Sequence, residues 1–211
     1  MLLRTSAFRQ PFPRRFLLRL HYDLFQIRRF ARWDIDKDSG LSLVEKMVLI
    51  SEDRRFFRHN GVDCIACARE ATRLVTFRRH GGASTIDMQF VRTATGYYER
   101  TMGRKLYEIA LAWLIQFKYS KIEILRFYLR RAFFGSHMYG VEAASRKVFS
   151  KSSDQLELSE AAFVAAMLVY PRPQNPTDEW RAKVTRRANY VAALYPRLKQ
   201  RFEKLPSWKV V

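Results

Sequence analysis

A chain of 211 residues, 48% of them apolar, has material for one sizeable helical domain, with room for a smaller lobe, and not for two domains of independent chemistry. Thirty-nine Lys and Arg stand against 20 Asp and Glu, a formal charge of +19, so a partner has to be anionic: nucleic acid, an acidic membrane surface or a phosphorylated substrate. No nucleic-acid module is recognisable, which ranks the first of these lowest.

Residues 1–33 hold eight arginines and a single acid, Asp23, among leucines and phenylalanines. Arg19, Asp23, Arg28 and Arg29 interrupt the apolar positions too often for a bilayer span of about 20 apolar residues. The arginine-free apolar run is also too short for a signal peptide. Two readings stay open: a basic amphipathic helix lying on anionic lipid, and a plain packing helix. In the next stretch, DIDKDSGLSLVE, Asp34, Asp36 and Asp38 alternate and Glu45 stands twelfth, as in a calcium loop. Ser39 occupies the sixth position, where the sharp turn wants glycine, so the better reading is Ser42 capping a helix with Glu45 completing a capping box.

That helix, SLVEKMVLISED, ends in an acidic pair, Glu52 and Asp53, followed at once by aromatics and His59. A carboxylate at a helix end against Phe56 and Phe57 is desolvated, which raises its proton affinity toward the range a general base or acid needs near neutral pH. Glu52 is therefore the candidate catalytic residue. Asp53 and His59 are read as supports for this segment or as plain packing. A second, basic and apolar helix follows from Val62. It carries the only cysteines, Cys64 and Cys67, which lack the second pair a zinc or redox site would need and read as small residues on a helix face.

Residues 81–93, GGASTIDMQFVRT, begin eighteen residues after that first acidic-aromatic stretch. They offer two glycines, then Ser84 and Thr85, then Gln89 and Arg92 at helical spacing. Glycines let backbone amides approach a ligand, and hydroxyls opening a helix either cap it or join the amides around an anion, which suggests a phosphate seat. An amphipathic helix is predicted over 101–118, with Arg104 and Glu108 four apart on one face, Lys105 alongside, and Leu106, Ile109, Ala112 and Trp113 filling the opposite face. Ser120 and Glu123 form a second capping box, opening a core helix through Leu129. Gly140 opens another helix, and a last pair is predicted over 157–169 and 178–195, separated by the proline-rich YPRPQNPT. No strand-like alternation of useful length appears, and the tail from Pro196 is basic and peripheral.

The ordered series EDRRFFRHNGVD, GGASTIDMQFVRT, RKLYE, KIEILRFYLRRAFFG, YGVEAASRKVFSK, LSEAAFVAAML and NP resembles the motifs of the peptidoglycan glycosyltransferases, glycosyltransferase family 51, from about Ser42 to Pro176. Each motif alone is weak; their order is specific. Because family members often carry a penicillin-binding transpeptidase domain downstream, and none fits after Val211, the resemblance is to the monofunctional type. Members of that type usually have an N-terminal membrane anchor, which this sequence does not display.

The resemblance implies a mainly α, lysozyme-like fold with a large lobe and a small membrane-facing one, arranged as a basic amphipathic segment (1–33), a glycosyltransferase domain (34–195) and a basic tail (196–211). It implies polymerisation of lipid II into glycan strands with inversion, Glu52 serving as base and a polyprenyl diphosphate leaving. Glu108 matches the family's second important glutamate, and Ser84, Gln89, Arg104 and Lys105 match its substrate-binding positions; Arg92 stands where the family has a lysine, and Arg100, which lies between motifs, is counted with these substrate-binding cations. No cofactor is required and no metal ligands are assigned, although a divalent cation (Mg²⁺ or Mn²⁺) is compatible with a diphosphate. The expected partners are lipid II, the growing glycan strand, the membrane surface and other cell-wall synthesis proteins, with no nucleic acid. The expected location is the periplasmic or outer face of a bacterial inner membrane, peripheral or anchored. Departures from the family pattern fall at Asp87, Met88, Thr93, Arg130 and Ser150; an acidic Asp87 beside a diphosphate would repel it unless paired with a metal or a nearby arginine. Two other readings stand beside this one: a catalytically impaired homologue that binds lipid II or cell-wall machinery, and a lysozyme-like glycan hydrolase.

Overall fold

The computed structural model describes residues 12–32, 35, 36, 39–75, 84–99 and 101–204; within the first and third helices the side chains of 12, 13, 70, 71 and 73–75 are excepted. Residues 76–79, the side chains of 73–75, the glycines at 81 and 82, Asp34, Asp38, Arg100 and the end of the tail lie outside the described residues or side chains.

The chain is mainly α, as its periodicity predicts. Helix α1 spans Phe12–Phe30, α2 Leu43–Glu52, α3 Cys64–Val75, α4 Ile86–Thr95 and α5 Met102–Leu114. After α6 (Lys121–Arg131) comes a two-stranded hairpin, β1 (Phe133–Gly135) and β2 (Met138–Tyr139), then α7 (Val141–Phe149), α8 (Leu158–Met167) and α9 (Asp178–Glu203). Among the described residues the hairpin is the one departure from an all-helical expectation. It is too short to leave a period-two signature, and it depends on Gly135, whose backbone (φ 138°) lies against Arg172 so closely that a Cβ would collide.

The core is built where α2, α8 and α9 pack on one another, and α4 joins it to α1, α5 and α6. Met47, Val48, Leu49 and Ile50 of α2 are buried with Val164, Ala165 and Met167 of α8, so both α2 and the start of the segment after it are held rigidly. Both predicted capping boxes are present: Ser42 with Glu45, and Ser120 with Glu123. Glu45 is also bonded by Arg126, which donates to the carbonyls of Asp36, Ser39 and Gly40. A guanidinium thus ties the described part of that loop to Glu45.

Helix α1 packs on α4 and buries Ile27, while its buried Asp23 accepts from the hydroxyls of Tyr97 (2.8 Å), just past α4, and Tyr107 (2.7 Å) on α5. It is a packing helix on one face, while Phe16, Leu17, Leu18, Tyr22 and Phe25 remain exposed on the other. Two expectations need correction. In α5 only Ala112 of the supposed inner face is fully buried; Leu106 is 63% and Trp113 52% exposed, because the core-facing stripe is set by Glu108, Leu111 and Ala112 instead. The last helix does not stop at 195: Leu198 and Phe202 continue its apolar stripe against the core at a spacing of four, and carry it through Pro196 to Glu203. No described helix is long and apolar enough to cross a membrane.

Candidate active site

Glu52 is the last residue of α2, half-buried, and its carboxylate is held from two sides. Ser51 Oγ donates to Oε1 at 3.1 Å, and Gln89 Nε2 donates to Oε2 at 3.2 Å. Burial raises the proton affinity of this carboxyl; the bonds from Gln89 and Ser51 and the charge of Arg187 pull it back only in part. This is the direction the sequence predicts for a base.

Asp53 turns the other way. Its Oδ2 accepts the backbone N–H of Ile86 at 3.2 Å and lies 3.0 Å from His59 Nε2, tying the end of α2 to the first turn of α4, where an anion is favoured by the helix dipole. Thr85, buried, caps α4 and donates to the Gly61 carbonyl at 2.6 Å, so it closes a backbone gap instead of facing a ligand. Gln89 and Arg92 lie one turn apart on α4, which places the two arms about 5 Å apart along its axis.

Arg92 reaches the second carboxylate. Glu108 is 3% exposed, and its oxygens accept from Arg92 Nη2 at 2.8 Å and from Arg104, with Lys105 Nζ at 3.7 Å. Lys105 Nζ also donates to Ser84 Oγ at 2.9 Å and Arg92 Nη2 to the same oxygen at 3.4 Å. Three cations around one carboxylate leave a local excess of two positive charges. Ser84, whose lone pairs these cations engage, keeps its proton to donate. Burial lowers the proton affinity of Lys105, and the charges of Arg92 and Arg104 act in the same direction against that of Glu108. Beside it opens a cleft of about 410 Å³ lined by Gln89, Arg92, Tyr98, Tyr128, Phe133 and Tyr139.

The structure thus brings Ser84, Arg92, Arg104, Lys105 and Glu108 into one cluster, and Glu52 and Gln89 into a second joined to it by α4. Asp87, expected to face the anion seat, is 0% exposed on the opposite side of its helix, where Lys121 Nζ (2.8 Å) and Gln116 Nε2 (2.8 Å) hold it. Its partner is a lysine, contributed from 34 residues away, where the sequence offered a nearby arginine. Sequence reasoning missed Lys121, Tyr128 and Arg187: Tyr128 donates to Gln89 Oε1 at 2.6 Å, and Arg187 Nη2 donates to the Ser51 carbonyl at 2.7 Å. Tyr128 reads as core from its helical spacing, and Arg187 has no local signal at all.

Among the described residues one trio, Asp53, His59 and Asp87, brings three metal-binding atoms within 4.8 Å of one another. It does not suit a divalent ion, because the Lys121 ammonium already sits on Asp87 and would oppose it. Glu108, saturated by three cations, suits one no better.

Fold and site define a mainly α enzyme of the lysozyme-like type. The transglycosylase family model matches residues 29–195, and this chain belongs to that family. It is 37% identical over 156 residues to penicillin-binding protein 1A of Rickettsia felis, covering 72% of this chain and 20% of the relative. It is 37% identical to penicillin-binding protein 2a of Streptococcus pneumoniae (72% and 21%) and 39% identical to penicillin-binding protein 1A of Escherichia coli (67% and 17%). The chain spans about a fifth of the length of these relatives.

Proposed function

We propose that the protein is a peptidoglycan glycosyltransferase that extends glycan strands from lipid II. The observation that carries this reading is the pairing of a base-like Glu52 with a cation cluster one helical turn away along α4. Glu52 takes the proton of the acceptor sugar's 4-hydroxyl as that oxygen forms its bond to the donor's anomeric carbon. The bond from that carbon to the diphosphate breaks on the opposite face, the electron pair leaves with the phosphate oxygen, and the configuration inverts.

Charge builds on the departing diphosphate. Arg92, Arg104, Lys105 and the Ser84 hydroxyl therefore stabilise the transition state more than the ground state, and Glu108 holds those cations in place. Arg100 is proposed to add to them. A Mg²⁺ or Mn²⁺ ion arriving with the substrate is compatible with a diphosphate, but no step here is routed through one. Asp53 and His59 fix the angle between α2 and α4. The aromatic walls of the cleft suit sugar rings.

The hydrolase reading is disfavoured by the cations gathered at Glu108, since hydrolysis of a glycosidic bond has no diphosphate leaving group for Arg92, Arg104 and Lys105 to neutralise. The binding-only reading, which rests on the altered motif residues, loses one of them as a support because Asp87 is neutralised away from the site.

Phe16, Leu17 and Phe25 on α1, and Met102, Leu106, Trp113 and Phe117 near α5, are exposed beside arginines and suit an anionic membrane surface, on the periplasmic or outer face of a bacterial inner membrane. Other cell-wall synthesis proteins are the expected neighbours there. The deciding experiment incubates labelled lipid II in detergent with the protein and with Glu52→Gln, resolving products by size. Polymer from the parent alone supports the reading; shorter glycans released from a preformed strand would replace it with hydrolysis.

A further inference from the structure

We propose that Arg187 and Tyr128 are positioning residues that lock the Glu52 carboxylate from opposite sides, Arg187 through Ser51 and Tyr128 through Gln89. This rests on Glu52 being the base and extends that reading to two residues from distant parts of the chain.

Each oxygen of Glu52 has one donor, and neither donor is directed by its own chemistry. A serine hydroxyl rotates, and a glutamine amide presents either its NH₂ or its oxygen. Behind each stands a group that removes this freedom. The Tyr128 hydroxyl, on a buried ring of α6, donates to Gln89 Oε1 at 2.6 Å, which turns the amide so that its NH₂ faces Glu52. Without that hydroxyl, the flipped amide would set an oxygen against the carboxylate.

On the other side, α2 ends at Glu52, so the Ser51 carbonyl is among the four at a helix C-terminus that lack an intrahelical partner. Arg187 Nη2, from α9, supplies one at 2.7 Å and also approaches Ser51 Oγ at 3.4 Å. A cation at a helix C-terminus is favoured there, and it lies close enough to Glu52 to favour its ionised form.

The guanidinium is kept in place by more than this contact. It lies over the Tyr190 ring at 5.8 Å, and Tyr190 in turn accepts from Arg54 at 2.8 Å. Arg187 Nε is buried with no hydrogen-bond partner among the described residues. The charged and titratable groups facing Glu52 are Arg187 from α9, Asp53 beside it at the end of α2, and Tyr128 from α6. From α4 comes the neutral Gln89, with Arg92 a turn further on and engaged by Glu108.

The test measures rate against pH for the parent, Arg187→Met, Arg187→Lys and Tyr128→Phe, together with a ¹³C-carboxyl NMR titration of Glu52, assigned by loss of its signal in Glu52→Gln. Removing the Arg187 charge is expected to move the acidic limb, and the NMR midpoint, upward by about one pH unit. That is a roughly tenfold lower rate on the acid side, recovered at alkaline pH, with Arg187→Lys returning most of the shift. Tyr128→Phe, which removes one oxygen and leaves the ring packing, is expected to lower kcat about three- to tenfold with KM nearly unchanged. It carries the kinetic test if Arg187→Met does not fold.

An unmoved limb and midpoint in Arg187→Met, or a Tyr128→Phe variant with parental kcat, overturns the proposal while leaving the base intact. Full activity in Glu52→Gln removes the base reading itself, and the NMR titration reads the Arg187 effect without any turnover.

Discussion

Replacing Glu108 by glutamine tests whether one carboxylate organises the anion seat. In the native protein its two oxygens engage Arg92, Arg104 and Lys105, and it is 3% exposed. Glutamine keeps the shape, loses the charge, and turns an NH₂ toward a cation. Breaking a buried ion pair costs about 3–5 kcal/mol. Arg92 and Lys105 keep 27% and 29% of their side chains in solvent, so screening places the expected loss at the low end, about 3 kcal/mol.

For a chain of this size that is a fall in Tm of about 6–12 °C. Thermal melts followed by circular dichroism, with and without pyrophosphate at matched ionic strength, measure it. Because the cation cluster gains one unit of net positive charge, pyrophosphate should stabilise Glu108→Gln more than the parent, while turnover falls. A variant that melts like the parent, or that pyrophosphate and chloride stabilise equally, would refute the anion seat.

Ser150 ends α7 in the left-handed conformation (φ 57°), which glycine adopts without strain, so Ser150→Gly should raise stability by about 0.5–1 kcal/mol, seen as a Tm gain of about 1–4 °C. Lys121→Met strands the fully buried Asp87 beside Asp53 and His59; a loss of about 3 kcal/mol or more is expected in urea unfolding, with Lys121→Met/Asp87→Asn regaining most of it. Glu52 has a folded proton affinity raised by burial, so parental stability falls as pH rises from the ordinary value of 4.5 through the higher folded value. Glu52→Gln should therefore melt above the parent at neutral pH, and melts at pH 4 should show the advantage gone. Leu106→Asp with Trp113→Ser should weaken co-sedimentation with anionic lipid vesicles without altering circular dichroism; unchanged binding would move the membrane contact elsewhere.

Local chemistry wrote much of this protein into its sequence. The capping boxes at Ser42 and Ser120, the end of α2 at Glu52, and the register of Arg104 with Glu108 follow from spacings of three and four residues, which a helix converts into contact whatever surrounds it. The ordered motifs added the family and the fold. Tertiary structure alone decided what lies across helices. Lys121 meets Asp87 from 34 residues away, and Arg187 reaches Ser51 from 136. Neither leaves a periodic trace, because such pairs depend on how α6 packs against α4 and α9 against α2. The same packing decided which stripe of α5 turns inward, leaving Leu106 and Trp113 outside although their spacing matches a core face. Periodicity shows that a helix has an apolar stripe; only its neighbours determine whether that stripe is covered.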